Sequence, residues 1–259
     1  MSQWIIERLQ GGEALVGCFV STPLIATCEV LGACGFDVLV ADAEHAPLTP
    51  ADIQTIVAGS ELAGLPALVR LSDDSPTSIQ YALDGGAVGI IVPRVSTRAQ
   101  AAAVVAAASY PPQGVRGAGP GRASLYGLER ERSLEEARAH TLIAVQIESA
   151  DAVRELDAIL EVPGLGMVFV GPNDLSHSLG RPPEDELRAI IDDVLDRAHA
   201  RSVLTGILAP TPALVDRYLQ AGVSLLLTGN DLAMLAAGGR GVVAALPAST
   251  RRGHQSIDR

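Results

Sequence analysis

Acidic residues follow two hydrophobic segments that the sequence predicts to be strands. Glu148 ends the segment LIAVQIE, and Asp174 directly follows MVFVGPN. Two carboxylates that face each other repel unless a cation or a proton lies between them. Mg²⁺, Mn²⁺ and Co²⁺ accept carboxylates, waters and substrate oxygens as ligands. The pair is therefore a candidate site for a divalent metal, with a solvated strand end or a turn cap as the structural alternative for either side chain.

A second group of polar residues ends the second and third predicted strands. Asp42 precedes His45 by three residues, and a carboxylate that accepts from one imidazole nitrogen raises the basicity of the other. Arg70 ends an otherwise apolar strand, where its guanidinium needs an anion such as a carboxylate or an enolate oxygen. An internal ion pair between Arg70 and Glu44, or a His45 that only hydrogen-bonds its own loop, would be structural rather than catalytic.

The basic residues also exclude one kind of chemistry. The sequence contains no lysine, whereas carbon–carbon cleavage through a Schiff base needs a lysine amine. An enolate would then have to be stabilised by a metal together with arginine. No Walker motif is present, and no glycine-rich dinucleotide motif follows a strand. Gly117, Gly119 and Gly121 fall in a long loop instead.

A regular framework of strands and helices must position these residues. Short β-branched runs alternate with longer segments of helical periodicity, which indicates right-handed βαβ units and a parallel sheet. Eight such runs in 259 residues predict closure into a single α/β domain, a (β/α)8 TIM barrel whose active site lies in the loops after the strands. The predicted strands are residues 15–20, 38–42, 67–71, 89–93, 142–148, 167–171, 203–209 and 225–229.

Six helices are predicted between and after the strands. The clearest, over residues 184–201, carries one apolar stripe, with acidic residues at its start and basic residues at its end. The segment 110–127 is rich in Gly and Pro and too long for an ordinary connection, so we expect a functional loop there. We expect one barrel domain over residues 1–248 and a flexible tail over 249–259. The other predicted helices are residues 50–62, 76–83, 97–108, 211–221 and 231–246.

Composition restricts the partners and the compartment. Hydrophobic residues make up 48% of the chain and aromatic residues only 3%, so the core must be aliphatic, as in a parallel sheet covered by helices. The net charge of −11 disfavours nucleic acid and membrane partners. No apolar run approaches the ~20 residues that span a bilayer, and the N-terminus lacks a signal-peptide core. Three cysteines without a C-x-x-C pattern predict buried thiols in a cytoplasmic protein.

Five segments together resemble one family of enzymes. They come in that family's order and at its spacing, and the resemblance covers roughly residues 3–245. The family is the HpcH/HpaI aldolases, metal-dependent class II pyruvate aldolases that act on 2-oxo acids. The segments are FDVLVADAEHAPLT (36–49), LVRL with Arg70, YPPQGVRGAG (110–119), VQIES (145–149) and VFVGPNDLSHSLG (168–180).

The resemblance implies a catalytic centre. Glu148 and Asp174 match the family's ligands for a divalent metal such as Mg²⁺, Mn²⁺ or Co²⁺. His45 and Asp42 match the dyad that acts as base. Arg70 matches the arginine that binds the pyruvate carboxylate and the enolate oxygen.

The resemblance also implies residues around that centre and an assembly. Gln146 would lie beside the metal, and the backbone of Gly171, Pro172 and Asn173 would hold the carboxylate. Asp84, in ALDGGA, matches a position at the mouth near a neighbouring subunit. Family members are usually hexamers, built as a trimer of dimers with exchanged C-terminal helices.

Three residues depart from the family's pattern. Ala43 stands where the family usually has Gly, and Asn173 stands where many relatives have a small Ala. Asn173 thus adds an amide next to the 2-oxo acid carboxylate. Leu125 replaces an Arg that is common in the sugar-acid members, which weakens the case for a dicarboxylic or heavily hydroxylated aldehyde.

The resulting hypothesis is a metal-dependent aldolase that cleaves or forms a 4-hydroxy-2-oxo acid from pyruvate and an aldehyde. A lyase acting on a CoA thioester, such as malyl-CoA or citryl-CoA, is one alternative, and the acidic, lysine-free composition argues against it. A 2-oxo acid decarboxylase is another, because it shares the enolate intermediate. A barrel that only binds a ligand is the third, and the presence of Glu148 and Asp174 counts against it.

Overall fold

The computed structural model describes residues 2–247 and contains a closed barrel of eight parallel strands. Each strand pairs with the next along the chain, and the last strand returns to pair with the first. The predicted (β/α)8 barrel is therefore confirmed. The strands are β1 (Leu15–Val20), β2 (Val38–Asp42), β3 (Ala67–Arg70), β4 (Gly89–Val92), β5 (Leu142–Ile147), β6 (Met167–Val170), β7 (Leu204–Leu208) and β8 (Leu225–Asn230).

Helices follow the strands and cover the outside of the barrel. All six predicted helices are present, and their ends agree with the prediction within two residues. The helices are α1 (Ser2–Gln10), α2 (Ile25–Ala33), α3 (Pro50–Leu62), α4 (Pro76–Asp84), α5 (Arg98–Ala108), α6 (Arg130–His140), α7 (Ala150–Arg154), α8 (Leu156–Leu160), α9 (Pro172–Ser178), α10 (Glu184–His199), α11 (Pro212–Gln220) and α12 (Asp231–Ala245).

Short polar residues fix the starts of several helices. The side-chain oxygen of each accepts a hydrogen bond from the backbone N–H three residues further on, which satisfies one of the donors that a helix start leaves unpaired. A proline follows this cap at the start of α3, α4 and α11, where its missing N–H costs nothing. The capping residues are Thr49, Ser75, Thr97, Thr211 and Asn230.

The hydrophobic core forms two layers, one on each side of the strands. The inner layer fills the barrel and includes Phe19, Met167 and Phe169. Helix α1 packs against this layer through Ile5 and Leu9 and closes the end of the barrel where the strands begin. The outer layer is almost wholly aliphatic and joins the strands to the surrounding helices. The opposite end, where the strands finish, is thereby left for polar residues.

The segment 110–127 is irregular, as predicted, but a helix follows it that the sequence pattern did not reveal. The segment ends in a 3-10 helix, Arg122–Gly127, in which Leu125 and Tyr126 have positive φ angles of 47° and 57°. Helix α6 then begins at Arg130 and buries none of its residues. On the exposed surface of this helix, Arg132 forms ion pairs with Glu129 and Glu136. A helix without an apolar face has no hydrophobic periodicity to predict it.

Two of the three thiols are buried, as predicted. Burial raises the pKa of Cys18 to about 12 and that of Cys28 to about 11. Cys34 is exposed, so the expectation of a buried thiol is wrong there. Within residues 2–247, no helix is long and apolar enough to cross a membrane. The predicted domain end at 248 and the predicted tail over 249–259 lie outside the described residues.

Candidate active site

The C-terminal ends of the strands surround a cavity of about 230 Å³. All of the predicted site residues border this cavity except Glu148 and Asp84. Two larger cavities, of about 500 and 440 Å³, lie toward the starts of β4 and β5 and are bordered by α6. Active sites of (β/α)8 barrels lie at the C-terminal face. Position rather than volume therefore identifies the smaller cavity as the candidate site.

Arg70 is held by carboxylates on two sides and by an aromatic ring. Its Nε and Nη2 donate to the two carboxylate oxygens of Asp42, at 3.0 and 2.8 Å, because Asp42 and Arg70 are paired residues of β2 and β3. Its Nη1 lies 3.3 Å from Oε2 of Glu44. The guanidinium carbon lies 4.0 Å from the centre of the Phe19 ring. The side chain is buried, and the internal ion pair weighed from the sequence is present.

His45 does not form the predicted hydrogen bond between its ring and Asp42. Oδ1 of Asp42 accepts instead from the backbone N–H groups of Glu44 and His45, each at 3.2 Å, as short acidic residues often do in turns. The imidazole is 59% exposed, and its Nε2 lies 3.9 Å from Oε2 of Glu44. The ring is thus free to meet a ligand, and its nearest carboxylate is Glu44 rather than Asp42.

Glu148 is buried beneath the cavity and oriented by two donors. Its Oε1 accepts from the backbone N–H of Arg94 at 2.6 Å, and its Oε2 accepts from the side-chain amide of Gln146. Gly171 lies against the same carboxylate, since a Cβ atom built on it would come within 3.1 Å of Glu148 Cβ and 3.3 Å of Oε2. The glycine is therefore needed for Glu148 to keep this position.

Asp174 lies in the first turn of α9, exposed, and borders the cavity. Glu148 follows β5 and Asp174 follows β6, and these two strands are hydrogen-bonded neighbours. The two carboxylates therefore approach the same end of the barrel from adjacent strands. The predicted pairing has the topology that a shared cation requires.

Two of the three residues predicted to hold a substrate carboxylate have no free backbone N–H group. The N–H of Gly171 already donates to the carbonyl of Ile147 at 3.1 Å, and Pro172 has no N–H to offer. Asn173 and Asp174 stand in the first turn of α9, whose N–H groups have no partner inside the helix. The backbone N–H groups at this loop without a partner inside the helix therefore include those of Asn173 and Asp174.

The donor set beside Glu148 is compatible with a hard cation. Oε2 of Glu44 and Oε1 of Gln146 are buried and accept no hydrogen bond from any described residue. Burial raises the pKa of Glu44, Arg70 opposes that rise, and Glu148 adds to it. Among residues 2–247, no three His, Cys, Asp or Glu side chains converge as a complete metal cluster. A metal held by Glu148 and Asp174 would therefore need water and substrate oxygens as further ligands.

Asp84 and Leu125 lie away from the cavity. Asp84 ends α4, at the opposite end of the barrel, where its carboxylate accepts from Nη2 of Arg116 at 2.8 Å. Leu125 borders the cavity of about 500 Å³ near the start of β4. The predicted substrate contact of Asp84 is wrong within a single chain, because a residue at the end of a barrel helix precedes a strand instead of following one.

Phe19 and Asn230 are among the cavity residues to which the sequence assigned no catalytic or metal-binding role. Phe19 stacks on Arg70 near the end of β1, and Asn230 ends β8 at the cavity wall. Both stand at strand ends, which is the only sequence signal that marks them. Neither residue type is chemically reactive, so composition alone does not single them out.

Comparisons with known proteins agree with this geometry. A model of the HpcH/HpaI aldolase/citrate lyase family matches residues 15–237, which span all eight strands. The chain is similar to the 4-hydroxy-2-oxovalerate aldolase of Rhodococcus jostii (strain RHA1), with 37% identity over 89% of this chain and 90% of that protein. It is also similar to the hydroxypyruvate/pyruvate aldolase of Chromohalobacter salexigens, with 37% identity over 86% and 90%. The crystal structure of a HpcH/HpaI aldolase/citrate lyase family protein from Burkholderia cenocepacia J2315 covers 94% of this chain and 98% of its own, with a TM-score of 0.87 and 32% identity.

Proposed function

Because the chain belongs to the HpcH/HpaI aldolase/citrate lyase family, we infer that it is an aldolase that cleaves or forms a 4-hydroxy-2-oxo acid from pyruvate and an aldehyde. The observation that carries the proposal is the single cavity bordered by His45, Arg70, Asn173 and Asp174. Its volume of about 230 Å³ is below the ~300–1,000 Å³ of sites for drug-sized ligands and fits small reactants.

A divalent metal ion is the proposed cofactor. Glu148 and Asp174 would hold it, and the buried oxygens of Glu44 and Gln146 favour positive charge nearby. Bound Mg²⁺, Mn²⁺ or Co²⁺ would supply Lewis-acid stabilisation of the enolate. The absence of lysine from the sequence leaves no amine for a Schiff base.

The protein residues bind the pyruvate unit and move the proton. Arg70, fixed by Asp42, donates to the enolate oxygen that forms as the C3–C4 bond breaks. Backbone N–H groups of Asn173 and Asp174 donate to the carboxylate. His45 takes the proton of the 4-hydroxyl group as the aldehyde carbonyl forms, and the enolate is then protonated at C3 to give pyruvate.

A homo-oligomer is the proposed assembly, specifically a hexamer built as a trimer of dimers. Helix α12 exposes Leu235 and Val242 to the extent of 73% and 66%, and Asp231 is its only buried residue. Exposed apolar surface of this kind marks contact sites for other chains. Asp84, at the far end of its own barrel, would contact a substrate only in the site of a neighbouring subunit.

The proposed compartment is the cytoplasm. Cys18, Cys28 and Cys34 are all free thiols. Free thiols persist in reducing compartments, whereas secreted proteins commonly oxidise them.

Exchange of solvent deuterium into the methyl group of pyruvate, followed by NMR, tests the enolate step without knowledge of the aldehyde. With Mn²⁺, Mg²⁺ or Co²⁺ we expect exchange, and a chelator should abolish it. Arg70→Ala should reduce the exchange by about 10²–10³-fold, as expected for a donor that stabilises developing charge. Metal binding should persist in that variant, because Arg70 is not a proposed ligand.

Two further variants separate the roles. Arg70→Lys keeps a positive charge between Asp42 and Glu44 but loses the paired donors, so its exchange should also be reduced. Glu148→Gln should weaken metal binding as well as exchange. Normal exchange in Arg70→Ala would contradict the role of Arg70. A native enzyme without exchange in any of the three metals would contradict the proposed function.

A further inference from the structure

One wall of the candidate cavity differs in chemistry from the wall that carries the carboxylates. Phe19, Leu208 and Pro210 border this side, and none of the three carries a charge. Asn230, at the end of β8, supplies a neutral polar group beside them. Arg70, which stacks on Phe19, is already paired with Asp42 and Glu44, so a negatively charged group on a reactant would lose water here without gaining an unpaired counter-ion. This wall therefore favours a neutral reactant.

Asn230 borders the cavity at an irregular point of β8. Asn230 pairs with Phe19 of β1, but the register shifts between Gly17 and Phe19, so β8 carries an extra residue at this point. Gly229 precedes Asn230 and has a φ of 132°, which residues with a side chain rarely adopt. Bulges of this kind bend a strand and redirect a side chain, often beside active sites.

The carboxamide oxygen of Asn230 accepts a hydrogen bond within the protein, and its NH₂ group donates none within residues 2–247. Its Oδ1 accepts from the backbone N–H of Ala233 at 2.7 Å and so caps α12. Because a donor faces this atom, it must be the oxygen, and the other terminal atom must be the NH₂ group. Within residues 2–247, Nδ2 of Asn230 has no hydrogen-bond partner, and the residue borders the cavity.

We propose that Asn230 is a specificity-determining residue, whose Nδ2 donates a hydrogen bond to a hydroxyl oxygen of a short, neutral hydroxyaldehyde. The proposal rests on the proposed aldolase function and adds the class of the aldehyde. The cavity volume limits the chain length of that aldehyde. A carboxylate on the aldehyde would lack a cation to pair with. Arg70 is the only arginine that borders the cavity in the described chain, and it is already paired with Asp42 and Glu44.

The test compares kcat/KM for the condensation of pyruvate with glycolaldehyde, acetaldehyde and glyoxylate, using the full chain loaded with metal. Glycolaldehyde differs from acetaldehyde by one hydroxyl group, and glyoxylate is of similar size but carries a carboxylate. The native enzyme should prefer glycolaldehyde. Asn230→Ser keeps a capping oxygen but removes Nδ2. The ratio of glycolaldehyde to acetaldehyde should therefore fall about tenfold, the equivalent of one hydrogen bond.

Two controls make the result specific to Asn230. Thr97→Ser alters the matching cap of α5, and because Thr97 borders none of the three cavities, the ratio should stay unchanged. Deuterium exchange into pyruvate should stay at the native rate in Asn230→Ser, since Arg70 and Asp174 remain in place. An unchanged ratio with intact exchange, or a native preference for glyoxylate, overturns this inference alone. Loss of metal-dependent exchange in the native enzyme overturns the proposed function instead.

Discussion

Gly171 links the shape of the backbone to the position of the candidate metal ligand Glu148. Its N–H is bonded to the carbonyl of Ile147, which holds the glycine against the neighbouring strand. Its φ of −99° suits any residue, so a side chain here would act through contact rather than backbone strain. That contact falls on Glu148 and on Nε2 of Gln146, the donor that orients it.

Gly171→Ala should therefore displace Glu148 and lower the affinity for Mn²⁺. We expect a loss of about 10–100-fold, the range seen when the partners that orient metal ligands are altered. Isothermal titration with Mn²⁺ measures it directly. Gly239→Ala is the matched control, because no atom lies within 4 Å of a Cβ atom built at that glycine. Equal affinity in both variants would argue against Glu148 as a ligand.

The pairing of Asp42 shows where sequence spacing misleads at this scale. Asp42 and His45 are three residues apart, which made a dyad the natural prediction. The partner of the carboxylate is instead Arg70, 28 residues away, because strand register places the two side by side. Register follows from the closure of the whole barrel, so no local pattern contains it.

At the scale of elements, Asp231 joins the start of α12 to the loop after β1. Its Oδ1 accepts from the backbone N–H of Ser21 at 3.1 Å, and its Oδ2 accepts from that of Thr22 at 2.9 Å. The carboxylate is buried, and its Oδ1 also accepts from the N–H of Leu232. The contact fixes the loop that follows Phe19 and so supports one wall of the cavity.

Asp231→Asn should destabilise the protein by about 1–3 kcal/mol, the cost of leaving a buried donor without an acceptor. The amide of asparagine would turn a donor toward the N–H of Ser21 or of Thr22, and only one of the two could then be satisfied. Urea unfolding followed by circular dichroism measures the loss. Asp52→Asn changes an exposed helix cap and should cost less. An equal or smaller effect of Asp231→Asn would mean that the loop is held elsewhere.

The strands and six of the twelve helices in residues 2–247 could be predicted because burial leaves a pattern in the sequence. Strands of a closed parallel barrel are covered on both faces and read as continuous β-branched runs. Helix α10 shows an apolar stripe for the same reason, with Ile191, Val194 and Leu195 buried. Helices α6 and α9 lack such a pattern, since α6 buries nothing and α9 has only seven residues. Sequence therefore predicted the framework better than the polar contacts built on it.

At the scale of the whole molecule, helix α12 exposes apolar side chains, whereas the N-terminal helix α1 buries most of its own. Leu232, Leu235, Val242 and Val243 are all more than half exposed. By contrast, the N-terminal end of the barrel is closed by α1, which buries Ile5, Ile6 and Leu9. A net charge of −11 keeps molecules apart unless an apolar contact compensates. The position of Asp84 at the far end of its barrel further favours an assembly in which subunits share a site.

Leu235→Glu should consequently reduce the molar mass measured by light scattering coupled to size-exclusion chromatography. Burial of a leucine side chain contributes about 1.5–3 kcal/mol at each copy of an interface, and a buried glutamate would add the cost of desolvating its charge. Glu186→Lys, a charge change on the exposed surface of α10, should leave the mass unchanged. If Leu235→Glu retains the native mass, α12 does not form the interface. If the dissociated protein also loses condensation but keeps its fold by circular dichroism, the proposed dependence of the active site on the neighbouring subunit is supported.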